Sequence, residues 1–356
     1  MIGIIIPANL KYAPYVEYYI NKLKKDNIDF EIISWNRRGI NENVHHSFNY
    51  YVKDSNRLKV YTGYFLYSLF VKRIVESRKY TSLIVFTIAG AYAIKSILKS
   101  QYKGKYIFDI RDDSPVVKKF PNDFKEICEN AYQVIVSSSC FKEWINRESI
   151  ICHNCSKDSI FQEIDFCDFK GTSERNIVFA GMLNEQDINI ELIKLLKNNM
   201  AYKMFFIGTD CVGKQKVFDY VKTNNIKNVF FEGTYDKKNI TKIYREKASY
   251  VNCIRKESKV NSEAVPNKLY DAVIAGKPII VMKHNKIIAE YVDNYKLGIV
   301  LEKLELDEIE NKISIFNEMI NNGTYKDGRK NFLEDVYKEI IAFEQIVEEF
   351  YLKFNK

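Results

Sequence analysis

The chain has 356 residues, 46% of them hydrophobic and 14% aromatic, with a formal net charge of +8. That length is too great for one ordinary domain and suits two, and an apolar content this high without low-complexity segments excludes a disordered chain. Residues 1–170 hold 25 Lys and Arg against 19 Asp and Glu (+6), and the remainder 29 against 27 (+2), so an anionic partner is expected on the first half.

At the start, Ile2–Pro7 reads as a short buried strand, unlike the charged and long apolar segments of a leader. Strand-like runs follow at Phe30–Ile33, Leu83–Thr87, Tyr106–Ile110, Val134–Ser137 and Ile150–Cys152. Helical patterns lie between them at Tyr15–Lys25, Tyr64–Ser77, Ala91–Lys99, Phe124–Ala131 and Phe141–Arg147. The polar stretch Asp165–Asn176 interrupts the series as a linker. A second series has strands at Ile177–Ala180, Tyr202–Ile207, Val229–Glu232, Ser249–Cys253, Ile279–Met282 and Gly298–Leu301. Its helices fall at Ile188–Asn198, Gln215–Asn224, Lys237–Glu246, Lys268–Ala275, Ala289–Asp293 and Glu308–Asn321, and the long Phe332–Phe354 closes the chain. Alternation of this kind predicts an α/β protein of two Rossmann-like parallel-sheet domains, 1–168 and 169–333, facing a cleft that is the default site.

Several classes of function are disfavoured. No run approaches the ~18 apolar residues that span a bilayer. The seven cysteines are scattered, so reduced thiols and a cytoplasmic location are expected. Cys140, Cys152, His153, Cys155 and Cys167 include the spacing of a zinc half-site, but a second such pair is missing and no metal is expected. Neither series has G-x-G-x-x-G or a Walker loop after its first strand, which argues against a nicotinamide or P-loop enzyme. The basic, aromatic stretch Lys53–Lys79 fits either an anionic lipid surface or an amphipathic helix with a solvated basic face. No nucleic-acid module accompanies it.

Two segments carry chemistry. Tyr106–Ile110 runs into Arg111-Asp112-Asp113, which places Asp109 and Asp112 near a strand's C-terminal end, suited to orient hydroxyls or relay a proton. The alternative is that Arg111 pairs with Asp112 or Asp113 and pins the loop. The second segment is Glu263–Val281. Pro266 suits a first helical turn, with Asn267 and Lys268 beside unpaired N–H groups whose partial positive charge suits a phosphate. Asp271, one turn on, can accept from a sugar's hydroxyls, and Arg255 and Lys256 can add charge for a diphosphate. Gly181, Gly208 and Gly233 each follow a strand, where ligands approach open α/β sheets.

With these residues in hand, the chain resembles the two-domain glycosyltransferases of the GT-B fold, specifically retaining family 4 and its capsule-type relatives. Asp109-Ile-Arg-Asp112, Ala131–Ser138 and His153-Asn154 look like that group's first-domain segments. Ile177–Gly181, Phe206–Gly208 and above all Pro266-Asn-Lys-Leu-Tyr-Asp271 with Ala275-Gly-Lys-Pro278 look like its donor domain, and Glu263 and Asp271 fit its E-x7-E pattern. The resemblance implies that Glu263 contacts the donor sugar, Asp271 the ribose and Lys268 the diphosphate. Asn267, Leu269, Arg255, Gly181, Gly208 and Gly233 line the nucleotide, and Asp109 or Asp112 faces the acceptor. It further implies a nucleotide-diphosphate sugar as co-substrate, a saccharide or lipid-linked saccharide acceptor, no cofactor or metal, and residues 334–356 packed back on the first domain. A peripheral position on the inner membrane face, through the more basic half, goes with the lipid-linked acceptor. The chain departs from the family after its first donor-domain strand, where Gly181-Met-Leu-Asn-Glu-Gln-Asp stands in place of Gly-Arg-Leu and a following Lys-Gly. That departure leaves room for a non-catalytic partner subunit, and the fold itself for a nucleotide-sugar epimerase or a hinged binding module.

Overall fold

The computed structural model describes residues 1–52, 57–164 and 175–355. Two compact units divide the chain: Met1–Asn154 with Glu339–Lys356, and Cys155–Lys338. The expected linker at 165–176 lies almost entirely outside the described residues, and the division falls ahead of it.

The first unit holds seven parallel strands, β1 (Ile2–Ile6), β2 (Phe30–Asn36), β3 (His46–Asn49), β4 (Ser82–Phe86), β5 (Tyr106–Ile110), β6 (Gln133–Val136) and β7 (Ser149–Ile151), in the order β3-β2-β1-β4-β5-β6-β7. Each residue of β1, β4 and β5 is buried, as a parallel sheet covered on both faces requires. One face packs on Trp35, Tyr67, Val71 and Val75, the other on Tyr19, Phe343, Val347 and Phe350. The latter three belong to one 31-residue helix, Thr324–Phe354, so residues 339 onward complete the first unit's core. Strand β3 was not anticipated. Its His-Ser-Phe-Asn is polar and only partly buried, with none of the apolar run that marks its neighbours.

The second unit's sheet runs β10-β9-β8-β11-β12-β13, again parallel, from β8 (Arg175–Ala180), β9 (Tyr202–Ile207), β10 (Val229–Glu232), β11 (Tyr250–Asn252), β12 (Ile279–Met282) and β13 (Gly298–Leu301). Its order reverses between β8 and β11, which makes the carboxyl ends of those two strands the topological switch point. Ala180 pairs with Ile207, and Ile207 with Glu232. Register therefore sets Gly181, Gly208 and Gly233 in a row one step past three adjacent strands.

The three glycines differ in need. Gly208 has φ +154°, and a Cβ there would stand 2.2 Å from the Gly181 carbonyl oxygen. Gly233 has open space around it. Gly208→Ala is expected to cost about 1–3 kcal/mol by forced backbone shifts, and Gly233→Ala to change stability within about 0.5 kcal/mol. Urea unfolding of the two variants checks the contrast.

Candidate functional site

The helix Asn267–Ile274 begins just past the loop that leaves β11, with Pro266 at its N-cap instead of in its first turn. Pro266 has extended backbone and offers no side-chain cap, so Asn267 and Lys268 start the helix without a capping group. At the other end the fully buried Arg329 donates from Nε to Val273 O (2.7 Å) and from Nη2 to Ile274 O (3.1 Å). Gly276, at φ +70°, turns the chain away beside it.

Lys268 is half-buried. Its Nζ lies 3.2 Å from the centroid of the Phe179 ring, and its Cε runs along Gly181 at the end of β8. Burial pulls its ammonium down to about 8, helped by Arg255 and opposed by Cys253, Glu185 and Asp271. A cation over an aromatic face retains only part of the stabilisation that water or a carboxylate supplies, so an anion is the partner this position lacks.

The other predicted residues take distinct places. Asp271 is half-buried, and burial pushes its carboxyl up to about 6 against the pull of Lys237 and Lys268. Tyr235, in the loop after β10, lies close enough for Asp271 to raise its hydroxyl. Asn267 is half-buried at the helix start. Leu269 is fully buried in the core and its N–H donates to Pro266 O, so its side chain brings nothing to the rim. Arg255 continues from β11, half-buried, with Nη1 donating to Ala264 O (3.4 Å) and Nε 3.7 Å from Glu185. Glu263 ends the short helix Lys259–Glu263, with Lys259 Nζ 3.6 Å from its carboxylate. The structure thus gathers Lys268, Asp271, Arg255 and Gly181 around the switch point.

Three contributors carry no motif in the sequence. Glu185 accepts from Lys256 N (2.6 Å) and Asn261 Nδ2 (2.9 Å). Lys214 is buried, and its Nζ donates to Gly208 O and Glu232 O, both at 2.8 Å, and to Asp210 (3.0 Å), which ties the glycine row together. Phe179 supplies the ring beneath Lys268. A lysine four residues past Asp210, itself in the loop after a strand, looks like any surface lysine in this Lys-rich chain.

In the first unit Asp109 requires a correction. It is fully buried, accepts from Tyr19 Oη (2.5 Å) and Arg111 Nη2 (2.6 Å), and so cannot face an acceptor. Arg111 pairs with Asp109, buried with it, and also pulls on Asp112. Its Nη1 donates to Cys152 O (3.1 Å) and Asn154 Oδ1 (3.4 Å), and its guanidinium sits 4.5 Å from the centre of the Tyr15 ring. The pair locks the ends of β5 and β7. Asp112 alone of the two is exposed. Cys167 lies outside the described residues, and among the described residues no three of His, Cys, Asp and Glu form a cluster that could hold a metal ion.

Comparison with known proteins follows this geometry. Residues 162–330 match glycosyl transferases group 1. The match spans a little under half of the chain. The match covers the switch point of the second unit, including Lys268 and Asp271. Among solved structures, a UDP-forming trehalose-phosphate synthase from Burkholderia xenovorans is similar at TM-score 0.64 and 10% identity, over 98% of this chain and 99% of that one. A UDP-GlcNAc 2-epimerase from Neisseria meningitidis bound to UDP-GlcNAc gives 0.59 and 12%, over 99% and 100%. An Anabaena protein in complex with UDP and glucose gives 0.58 and 14%, over 98% of each chain. These likenesses establish the GT-B fold. No curated protein matches the sequence.

Two outcomes are expected. Asp109→Ala should cost about 3–5 kcal/mol, because it strands a buried guanidinium, and chemical unfolding reads it directly. Lys268→Ala should weaken nucleoside diphosphate binding by about 1.5–3 kcal/mol, the worth of a charge-assisted contact. In the unsubstituted protein that binding should fall as pH rises past about 8, where the Lys268 ammonium loses its proton; calorimetric titration at pH 7 and pH 9 checks both.

Proposed function

We propose that the chain is a nucleotide-sugar-dependent glycosyltransferase that moves a hexosyl group to a saccharide acceptor with retention of configuration. The observation that carries this reading is Lys268, a half-buried ammonium at the start of a helix on the switch point of the family-matched unit. A diphosphate placed there would gain from the cation and from free backbone N–H groups. Charge that develops on the departing nucleotide would be stabilised by the same groups, without a metal. Asp271 would accept from ribose hydroxyls, and Glu263 would contact the donor sugar. The same fold holds UDP-GlcNAc in the Neisseria epimerase and UDP in the Anabaena protein, which supports a nucleotide partner.

The acceptor in this reading is lipid-linked, of the kind used to build surface polysaccharide, with the protein peripheral on the inner membrane face. Support comes from the helix Arg57–Arg78. Gly63, Tyr67, Val71 and Val75 turn one face into the core, while Leu58 (77% exposed), Tyr61, Phe65 and Leu69 form a second apolar stripe on the opposite, solvent-facing side. Lys59, Lys72 and Arg73 flank it, all exposed. An apolar face edged by cations suits the interface of an anionic bilayer. No helix among the described residues is long and apolar enough to cross a membrane. Lys53 and its three successors lie outside the described residues.

Thermal-shift titration against UDP, GDP, dTDP and CMP tests the donor site. One nucleotide at about 100 times its dissociation constant should add about 2.7 kcal/mol, and no response to any would sink the reading in favour of a non-catalytic subunit. Turnover of the matching nucleotide sugar without any acceptor, to an epimer, would make it an epimerase. Sedimentation with phosphatidylglycerol vesicles should retain the protein and lose the Phe65→Asp, Leu69→Asp double variant. Equal retention of both would remove the membrane from the proposal.

A further inference from the structure

The loop after β8 carries an acid where the resemblance leads one to expect cations. Glu185 crosses to the loop after β11, where its carboxylate takes the Lys256 N–H and the Asn261 side chain and stands 3.7 Å from Arg255 Nε. Asn261 is buried inside the short helix Lys259–Glu263, and it also donates to Lys256 O at 2.9 Å. The segment that carries Glu263 therefore hangs from Glu185. Lys268 feels the same carboxylate. An anion already stands beside both cations of the site.

The two sides of this contact are held unequally. Glu185 has short bonds to Lys256 and Asn261 that do not involve Arg255. The Arg255 side chain has two long contacts, 3.4 Å to Ala264 O and 3.7 Å to Glu185, and a guanidinium has five donors. Arg255 can turn to a new anion while Glu185 keeps its post.

We propose that Glu185 is the internal counter-anion of the site, a positioning residue that holds the Glu263 segment through Asn261 and that a donor diphosphate displaces from Arg255. The proposal rests on the nucleotide-sugar reading above. It has a consequence that a purely structural role lacks: loss of the charge with retention of shape strengthens anion binding, and loss of shape with retention of charge does not.

Calorimetric titration with pyrophosphate and with UDP, GDP, dTDP and CMP tests it, on the unsubstituted protein, Glu185→Gln and Asn261→Ala, with thermal midpoints as the folding check. Glu185→Gln is expected to bind pyrophosphate, and whichever nucleotide the unsubstituted protein prefers, roughly three- to ten-fold tighter. Asn261→Ala should bind no tighter. A folded Glu185→Gln that binds pyrophosphate equally or more weakly overturns the proposal, even where the unsubstituted protein binds a nucleotide and the functional reading stands. If no nucleotide binds and pyrophosphate still tightens in Glu185→Gln, the counter-anion holds and the nucleotide-sugar reading falls. Should Glu185→Gln fail to fold, Arg255→Gln decides: it must lose pyrophosphate affinity, and unchanged affinity overturns the proposal.

Discussion

The candidate site depends on a contact at the far end of its central helix. Arg329 is fully buried against the last carbonyls of Asn267–Ile274. Those carbonyls lie in the last turn, where regular helical bonding runs out and partial negative charge collects; Val273 O already takes the Gly276 N–H, and the guanidinium adds a charged donor to it and to Ile274 O. Gly276, at a positive φ that side chains rarely adopt, lets the chain turn out of the helix beside the guanidinium. An eight-residue helix is a rigid rod about 12 Å long, and fixing its last turn fixes its first. Lys268 and Asp271 are aimed from there.

The electrostatics of the second unit follow from scarcity. With Met182 where the resemblance leads one to expect an arginine, and no Lys-Gly after it, the strand-end rim has Lys268 and Arg255 to work with. Each is partly desolvated, which raises the value of whatever anion meets it. Glu185 and the Phe179 ring keep the two cations tolerable in the meantime. Lys214, the third cation nearby, is spent on carbonyls of the glycine row and serves geometry instead of ligand.

Much of this was legible in the residues. Among the described residues, twelve of the thirteen strands announce themselves as apolar runs because parallel strands are buried on both faces, and the glycine row falls out of strand ends in register. The Pro-Asn-Lys start of the site helix was legible for the same local reason, though its cap lay one residue off. Position across the fold was not legible. Asp109 reads as a ligand-facing carboxylate at a strand's end, yet Tyr19, ninety residues earlier in the chain, closes over it. Leu269 sits between two candidate ligands in sequence and points the other way. Glu185 has no signature at all, since its meaning comes from Asn261 on a short helix seventy-six residues on. Strand β3 escaped because an edge strand half open to water has no reason to be apolar.

The helix Thr324–Phe354 has a consequence for how the chain comes to be folded. Its later turns supply Phe343, Val347, Phe350 and Tyr351 to a core whose other members include Ile2, Ile4 and Ile6. During synthesis the first unit emerges early, but one apolar face of its sheet is only partly covered, by Val16, Tyr19 and Leu23, until the whole of the second unit has been made. Contacts so remote in sequence are slow to form and leave apolar surface exposed meanwhile. The unit started earlier is thus completed only after the second, and stays partly open for the time the ribosome takes to reach residues 339–356.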